Sequence, residues 1–200
     1  MTRRFLAIGF LAAILPLLLG CATGRSVYVD PSEVDEKGAQ FGDTDMKIMS
    51  EEIVSDLMQA PFLETISKKP ATISVVGIEN KTSEYIDTDD IADKMMMALV
   101  KSGSSTFQFV DRSMIQEMMK EFELGQDGVV STAEATKLGK AAGVDFLMTG
   151  SMSSISKVDR REDQRFYRLS VRLVDVERNT VTWMHEKEVR KIAKKGVLKW

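Results

Sequence analysis

The sequence predicts an α/β (α+β) fold: a mixed β-sheet with helices packed on it, in the order α-β-α-β-α-α-β-β-β, ending in an antiparallel hairpin. Three observations favour this fold class. Residues 71–79 are apolar on both faces, as in a central strand that is covered on both sides. Helical periodicity precedes and follows this strand. In the last third, two alternating runs are joined by a short polar turn, which is typical of a hairpin.

The predicted helices on either side of the central strand have apolar residues at spacings of three and four. The first begins at Asp43 or Thr44, either of which is expected to cap it, and Pro61 closes it. The second runs from about residue 88 to residue 102. The acids at 87–90 precede and begin this helix, where carboxylates cap the backbone and interact favourably with the helix dipole. We interpret them as a helix start rather than as a calcium site.

Two further helices are predicted before the C-terminal strands. Ser113 and Ser131 each stand three residues before Gln or Glu, which is the spacing of a capping box. A short strand at 107–110 precedes the first of these helices, and the second ends near Gly143. The following strand contains Gly150, a candidate for a β-bulge.

The closing hairpin shows the clearest alternation of the chain. Its first strand is predicted to bury Tyr167, Leu169, Val171 and Leu173, with polar side chains between them. Residues 175–180 form the turn. The returning strand, 181–190, places Trp183 on one face and Met184 on the other.

The composition gives no sign of catalytic chemistry. The chain of 200 residues has a formal net charge of −3 and only one histidine, His185, interpreted as a surface residue among charged neighbours. A zinc site needs several His or Cys ligands, and no glycine-rich phosphate motif is present. Without a basic block there is no electrostatic case for nucleic-acid binding. The sequence therefore predicts no enzyme, no cofactor, no small-molecule substrate and no nucleic-acid partner.

The only cysteine, Cys21, follows an apolar leader that begins after Arg3 and Arg4. The run from residue 5 to 19 suits the h-region of a secretory signal and is shorter than the roughly 20 residues of a spanning helix. The final residues, Leu-Leu-Gly-Cys, look like a bacterial lipobox. This resemblance implies that Cys21 is acylated and becomes the mature N-terminus, so that the protein is held at a membrane by lipid.

These features predict three parts of the chain: a lipoprotein signal at 1–20, a lipidated N-terminus and tether at 21–42, and one globular domain at 43–200. Ala22, which follows the cysteine, favours the outer membrane over the inner one by the sorting rule known for enterobacterial lipoproteins. A tether of about 20 residues spans at most roughly 70 Å.

Two polar regions are the candidate contact surfaces for a protein partner. One is the segment between the central strand and the second helix, in which the candidates are Asn80, Lys81, Thr82, Glu84 and Tyr85. The other is the group of arginines at 160–172. Its candidates are Arg165, Arg168 and Arg172, with a solvated hairpin edge as the alternative interpretation.

Several segments occur together in an order that carries a family resemblance. They are VVGIENKT (75–82), IDTDDI (86–91), LVKSG (99–103), FVDR (109–112) and AAGVDFLMTG (141–150). With the closing hairpin, they resemble the LpoB family of penicillin-binding protein activators over about residues 43–192. The resemblance implies a non-catalytic envelope lipoprotein that binds a bifunctional class A penicillin-binding protein and raises its peptidoglycan synthesis. The alternative is a structural or secretion-assembly component similar to CsgG, which shares the architecture.

Overall fold

Five strands form one mixed sheet in this computed structural model, which describes residues 38–66, 70–103, 105–121 and 131–194. The strand order is β2-β1-β3-β4-β5. The strands are β1 (Ala71–Asn80), β2 (Phe107–Phe109), β3 (Phe146–Val158), β4 (Glu162–Asp175) and β5 (Thr180–Lys194). The central strand β1 is parallel to β2 and β3, whereas β3, β4 and β5 are antiparallel to their neighbours. The predicted fold class and the closing antiparallel hairpin are confirmed.

Helices lie on both faces of the parallel half of the sheet. They are α1 (Asp43–Met58), a 3-10 helix (Pro61–Thr65), α2 (Thr88–Gly103), α3 (Arg112–Glu121) and α4 (Thr132–Ala142). The helices α1 and α2 and the 3-10 helix pack on one face, which we call the helix-covered face, and form the larger core with residues of all five strands. The helices α3 and α4 pack on the other face around Val76, Leu147 and Val174. Along the rest of β3, β4 and β5, no described helix covers that second face, which we call the open face.

The alternation predicted for the closing hairpin is confirmed. The side chains of Tyr167, Leu169 and Leu173 are fully buried on the helix-covered face. Trp183 is buried on the same face, whereas Met184, which points to the open face, is 71% exposed. One face of the strand packs against the helices and the other faces solvent, and because successive side chains point to opposite faces, burial alternates with a period of two.

The start of α1 differs from the prediction. Its N-cap is Gly42 rather than Asp43 or Thr44. The cause is Asp45, whose carboxylate reaches back to accept a hydrogen bond from the Gly42 N–H at 2.9 Å. This contact satisfies the Gly42 N–H, which is the half of a capping box that the residue three positions into the helix supplies.

One of the two predicted capping boxes is confirmed. Ser131 Oγ accepts from the Glu134 N–H at 3.2 Å, and the Glu134 carboxylate accepts from the Ser131 N–H at 2.8 Å. The other prediction is wrong because Asp111 takes the capping position of α3. Its carboxylate accepts from the Ser113 hydroxyl and, at 2.7 Å, from the Ser113 N–H, and these bonds lower the pKa of Asp111.

Gly150 does not form a bulge. It pairs in register with Val171 on β4, and the register shift of this part of the sheet lies on β1 at Val75/Gly77. A close approach explains the glycine instead, since a Cβ at this position would lie 2.4 Å from the Ser170 carbonyl oxygen.

Candidate functional site

The candidate contact regions meet where β3 and β4 run on past the end of β1. The last residue of β1, Asn80, pairs with Met152, and β3 continues from there to Val158. Six further residues extend the β3–β4 hairpin by roughly 20 Å. The segment 81–87 leaves β1 beside this extension. The first candidate region is thereby placed next to the arginines of the second.

The segment 81–87 is held by its own polar side chains. The Asn80 amide donates to the carbonyl oxygens of Glu84 at 3.0 Å and Ile86 at 3.3 Å. Asn80 Oδ1 accepts from the Thr82 N–H at 2.9 Å and the Thr82 hydroxyl at 2.7 Å. Asn and Thr side chains form such local bonds in turns because they reach the neighbouring backbone. Asn80 and Thr82 therefore shape the loop rather than face outward as free contacts.

Glu84 ties this loop to the hairpin. Its carboxylate accepts from Arg165 Nη1 at 2.5 Å and from the Tyr167 hydroxyl at 2.8 Å. Arg165 also binds Asp163 at 3.2 Å, and both carboxylates raise the pKa of its guanidinium above the ordinary value, Asp163 more than Glu84. Burial, followed by the bonds to Glu84, raises the pKa of Tyr167 to about 12. Two candidate residues, Glu84 and Arg165, are thus joined in one half-buried cluster.

The same cluster contacts the residues at which the chain enters the domain. The Tyr167 hydroxyl lies 3.3 Å from the Ala39 carbonyl oxygen, and the Phe41 ring packs on the Tyr167 ring with centroids 5.3 Å apart. Lys191 on β5 donates to the Gln40 carbonyl oxygen at 2.8 Å and to Asp45 at 2.7 Å. The packed part of the chain therefore includes residues ahead of Asp43.

The remaining candidates are more exposed. Tyr85 is 95% exposed at the tip of the loop. Lys81 forms an ion pair with Glu79 at 2.8 Å, and Arg168 forms one with Glu188 at 2.6 Å. Tyr is enriched in protein interfaces because it combines a large apolar ring with a polar end. The structure therefore makes Tyr85 the strongest contact candidate of the loop.

Arg172 lines a shallow groove on the open face, with a volume of about 200 Å³. Lys81 and Glu79 line the same groove, so the structure brings one residue from each candidate region together there as well. Met184 forms part of its wall and supplies exposed apolar surface.

Sequence reasoning did not identify Tyr167, Lys191 and Asp45 as parts of this region. The position of Tyr167 does indicate such a role, because a tyrosine whose side chain points to the buried face of a strand needs a hydrogen-bond partner for its hydroxyl. The partner is the carboxylate of Glu84, which lies 83 residues away in the sequence. The long-range pairing of Lys191 with Asp45 gives no local signal at all.

His185 on β5 is a partly exposed residue whose side chain also contacts α1. Its Nδ1 is 3.4 Å from Asp56 Oδ2, and its ring stacks on Trp183 with centroids 6.3 Å apart. Trp183 donates to the same Asp56 carboxylate at 2.9 Å. These contacts fix the first part of β5 to α1.

Neither a metal-ion cluster nor a membrane-spanning helix occurs in the described part of the chain. Its side chains include no group of three or more His, Cys, Asp or Glu residues able to hold a metal ion. Among its helices, none has the length and apolar character needed to cross a bilayer. The predicted lipidation site, Cys21, lies outside the described residues.

The family model of the peptidoglycan-synthase activator LpoB matches residues 45–189. The chain belongs to the LpoB family. Proteins of this family are lipoproteins that act as regulatory activators of penicillin-binding proteins rather than as enzymes. A comparison with curated proteins found no match.

Solved LpoB structures share the fold. The C-terminal domain of LpoB from Salmonella enterica has a TM-score of 0.55 at 17% identity, covering 72% of this chain and 98% of that chain. The NMR structure of Escherichia coli LpoB has a TM-score of 0.52 at 16% identity, covering 89% and 87%. The comparisons give no support to the alternative of a CsgG-like assembly component.

Proposed function

We propose that this LpoB-family protein binds a class A penicillin-binding protein and raises its peptidoglycan synthesis without being an enzyme itself. The observation that carries the proposal is the family match over residues 45–189. The physical account is a population shift: the activator favours the active conformation of the synthase by binding it more tightly than the inactive one. A tenfold shift requires a difference of about 1.4 kcal/mol between the two binding free energies.

The contact surface in this proposal consists of Tyr85, the exposed side chains of Lys81 and Arg168, and the half-buried Arg172. The cluster of Glu84, Arg165 and Tyr167 supports it by fixing the loop against the hairpin. A loop that is ordered before binding loses less conformational freedom in the complex. Large aromatic side chains at the centre of an interface carry a large part of its binding energy.

We further propose that acylated Cys21 anchors the protein in the outer membrane, facing the periplasm. The residues between the lipid and the first packed residue, 22–37, span at most roughly 55 Å. That limit is shorter than the predicted length of the whole tether, because residues 39–41 contact the sheet. The synthase must therefore present its activator-binding surface within this distance plus the distance from residue 38 to the contact residues.

The test of the proposal is chemical crosslinking of the membrane-anchored protein in its own cells, followed by capture. Recovery of a class A synthase supports the proposed function, and recovery of only self-crosslinked copies contradicts it. Mass spectrometry of the captured protein tests the anchor separately. A diacyl or triacyl group on Cys21 is expected, and the Cys21→Ser variant should lose both the lipid and membrane retention.

A further inference from the structure

The far end of the β3–β4 hairpin combines exposed apolar and exposed basic side chains. We call residues 155–162 and 190–194 the hairpin tip. Its apolar members are Ile155, Val158 and Ile192, which are 70%, 58% and 47% exposed. Its exposed cations are Lys157, Arg160, Arg161, Arg190 and Lys194. Against these five cations stand two acids, Asp159 and Glu162, on a chain whose net charge is −3.

Strand register places apolar and basic side chains next to one another on the open face. Ile155, Phe166 and Arg190 lie in one row across β3, β4 and β5. The next row toward the tip contains Lys157 and Ile192. Apolar and basic side chains therefore alternate over one surface instead of forming separate patches.

The turn leaves its two arginines available to a ligand. Asp159 Oδ1 accepts from the N–H groups of Arg161 at 2.7 Å and Glu162 at 2.8 Å, so this carboxylate is occupied by the backbone. Within the described part of the chain, neither Arg160 nor Arg161 forms an ion pair through its guanidinium. Arg165, by contrast, is already bound by two carboxylates.

The tip and the entering chain are at the same end of the domain. Lys191 belongs to the hairpin tip and donates a hydrogen bond to the Gln40 carbonyl oxygen at 2.8 Å. Residues that precede Gln40 lead toward Cys21, at most roughly 60 Å away along the chain. A lipid on Cys21 would hold this end near the bilayer and give the tip a high local concentration there.

We propose that the hairpin tip docks on the anionic phospholipid headgroups of the membrane that holds the protein. Ile155 and Ile192 enter the boundary between headgroups and acyl chains, and the five cations contact phosphate groups. Interfacial binding of this kind combines buried apolar area with attraction to anionic lipid. The docking goes beyond synthase activation and uses a surface without Tyr85.

A fluorescent probe at the tip tests the docking in the full-length lipoprotein. We would label Ile155→Cys with an environment-sensitive dye and reconstitute the protein in phosphatidylglycerol or phosphatidylcholine vesicles. The matched control is Val181→Cys, a valine 41% exposed at the opposite end of β5. The expected result is a blue shift at position 155 in phosphatidylglycerol only, weakened by salt because charges at a surface are screened. An equal response at position 181, or none at 155, would overturn the proposal.

Charge removal gives the second measurement. Arg160→Ser combined with Arg161→Ser should reduce tip insertion about 25-fold, because each cation near an anionic surface contributes about fivefold. Lys101→Ser combined with Lys120→Ser removes the same charge at exposed positions on α2 and α3 and should leave the blue shift unchanged. A blue shift that survives removal of the arginines contradicts the proposal. If their removal abolishes synthase activation while the probe is silent in every vesicle, the tip belongs to a protein interface.

The same experiment distinguishes failure of the proposed lipid anchor from failure of the proposed membrane docking. An unmodified Cys21 would take up the dye itself, which would refute the anchor. The signal from that label would be common to the 155 and 181 variants, so the difference between them still reports on the tip.

Discussion

Arg161 and Arg165 lie four residues apart, yet their surroundings differ completely. Arg165 is half-buried and bound by Asp163 and Glu84, whereas Arg161 is exposed at the turn. In the sequence both belong to one basic group at 160–172. A run of arginines on a hairpin therefore divides into cations on the covered face of a strand, which hold the fold, and cations in the turn, which are available to a ligand. This division between the Glu84–Arg165–Tyr167 cluster and the open surface has measurable consequences.

The largest difference is expected between the neighbouring aromatic residues of β4. Tyr167→Ala removes a fully buried ring and should lower the free energy of unfolding by about 3–5 kcal/mol. Phe166→Ala, its matched control on the open face, should lower it by less than about 1 kcal/mol. Urea unfolding followed by circular dichroism measures both. Equal losses would show that the cluster contributes no more to stability than the open face.

A smaller effect is expected when the carboxylate of the cluster is neutralised. Glu84→Gln should lower the free energy of unfolding by about 1–3 kcal/mol, because a hydrogen bond to a charged partner is weakened and Arg165 keeps only Asp163. Glu188→Gln removes an exposed partner of Arg168 and should leave the thermal midpoint nearly unchanged. If Glu84→Gln unfolds at the same urea concentration as the natural protein, the charge of Glu84 does not stabilise the fold.

The raised pKa of Tyr167 predicts a loss of stability at alkaline pH. The folded-state pKa of about 12 exceeds the ordinary value of 10, so the folded state favours the neutral phenol. This contribution is fully present below pH 10 and is lost as the pH rises from 10 to 12. The stability advantage over Tyr167→Phe should therefore shrink across this range. A constant difference between the two proteins, measured by urea unfolding at each pH, would contradict the assignment.

The smallest effect is expected at the turn. Arg160→Ser with Arg161→Ser should change the free energy of unfolding by no more than about 0.5 kcal/mol, as is usual for exposed positions. Thermal unfolding of the purified variant measures this. A large loss would mean that these arginines hold the fold, and would remove the contrast with Arg165.

The sequence predicts features that depend on nearby residues. The alternation through Tyr167 and Leu173 shows which face of β4 is buried, and the spacing of Ser131 and Glu134 identifies the start of α4. Such patterns arise from the strand period and from helix hydrogen bonding, both of which are local. The start of α3 was placed wrongly because Asp111 and Ser113 are both good caps and local pattern does not choose between them.

The candidate site could be predicted only in part. Polar composition identified the loop and the arginines, but it did not distinguish Glu84, which supports the loop, from Tyr85, which projects from it. That difference depends on which residues of β4 lie beside the loop, and therefore on sheet register. The pairing of Lys191 with Gln40 depends on where the chain enters the domain, which no periodicity records.

The most direct test of the proposed function is the rate of glycan polymerisation by a purified class A penicillin-binding protein with and without this protein. The rate should rise when the natural protein is added, and Tyr85→Ala should reduce the rise by about tenfold at subsaturating concentration, as expected when a central aromatic contact is removed. Val181→Ala, which truncates an exposed side chain at the far end of β5, should activate like the natural protein. An unchanged polymerisation rate with the natural, correctly folded protein would contradict activation of the synthase.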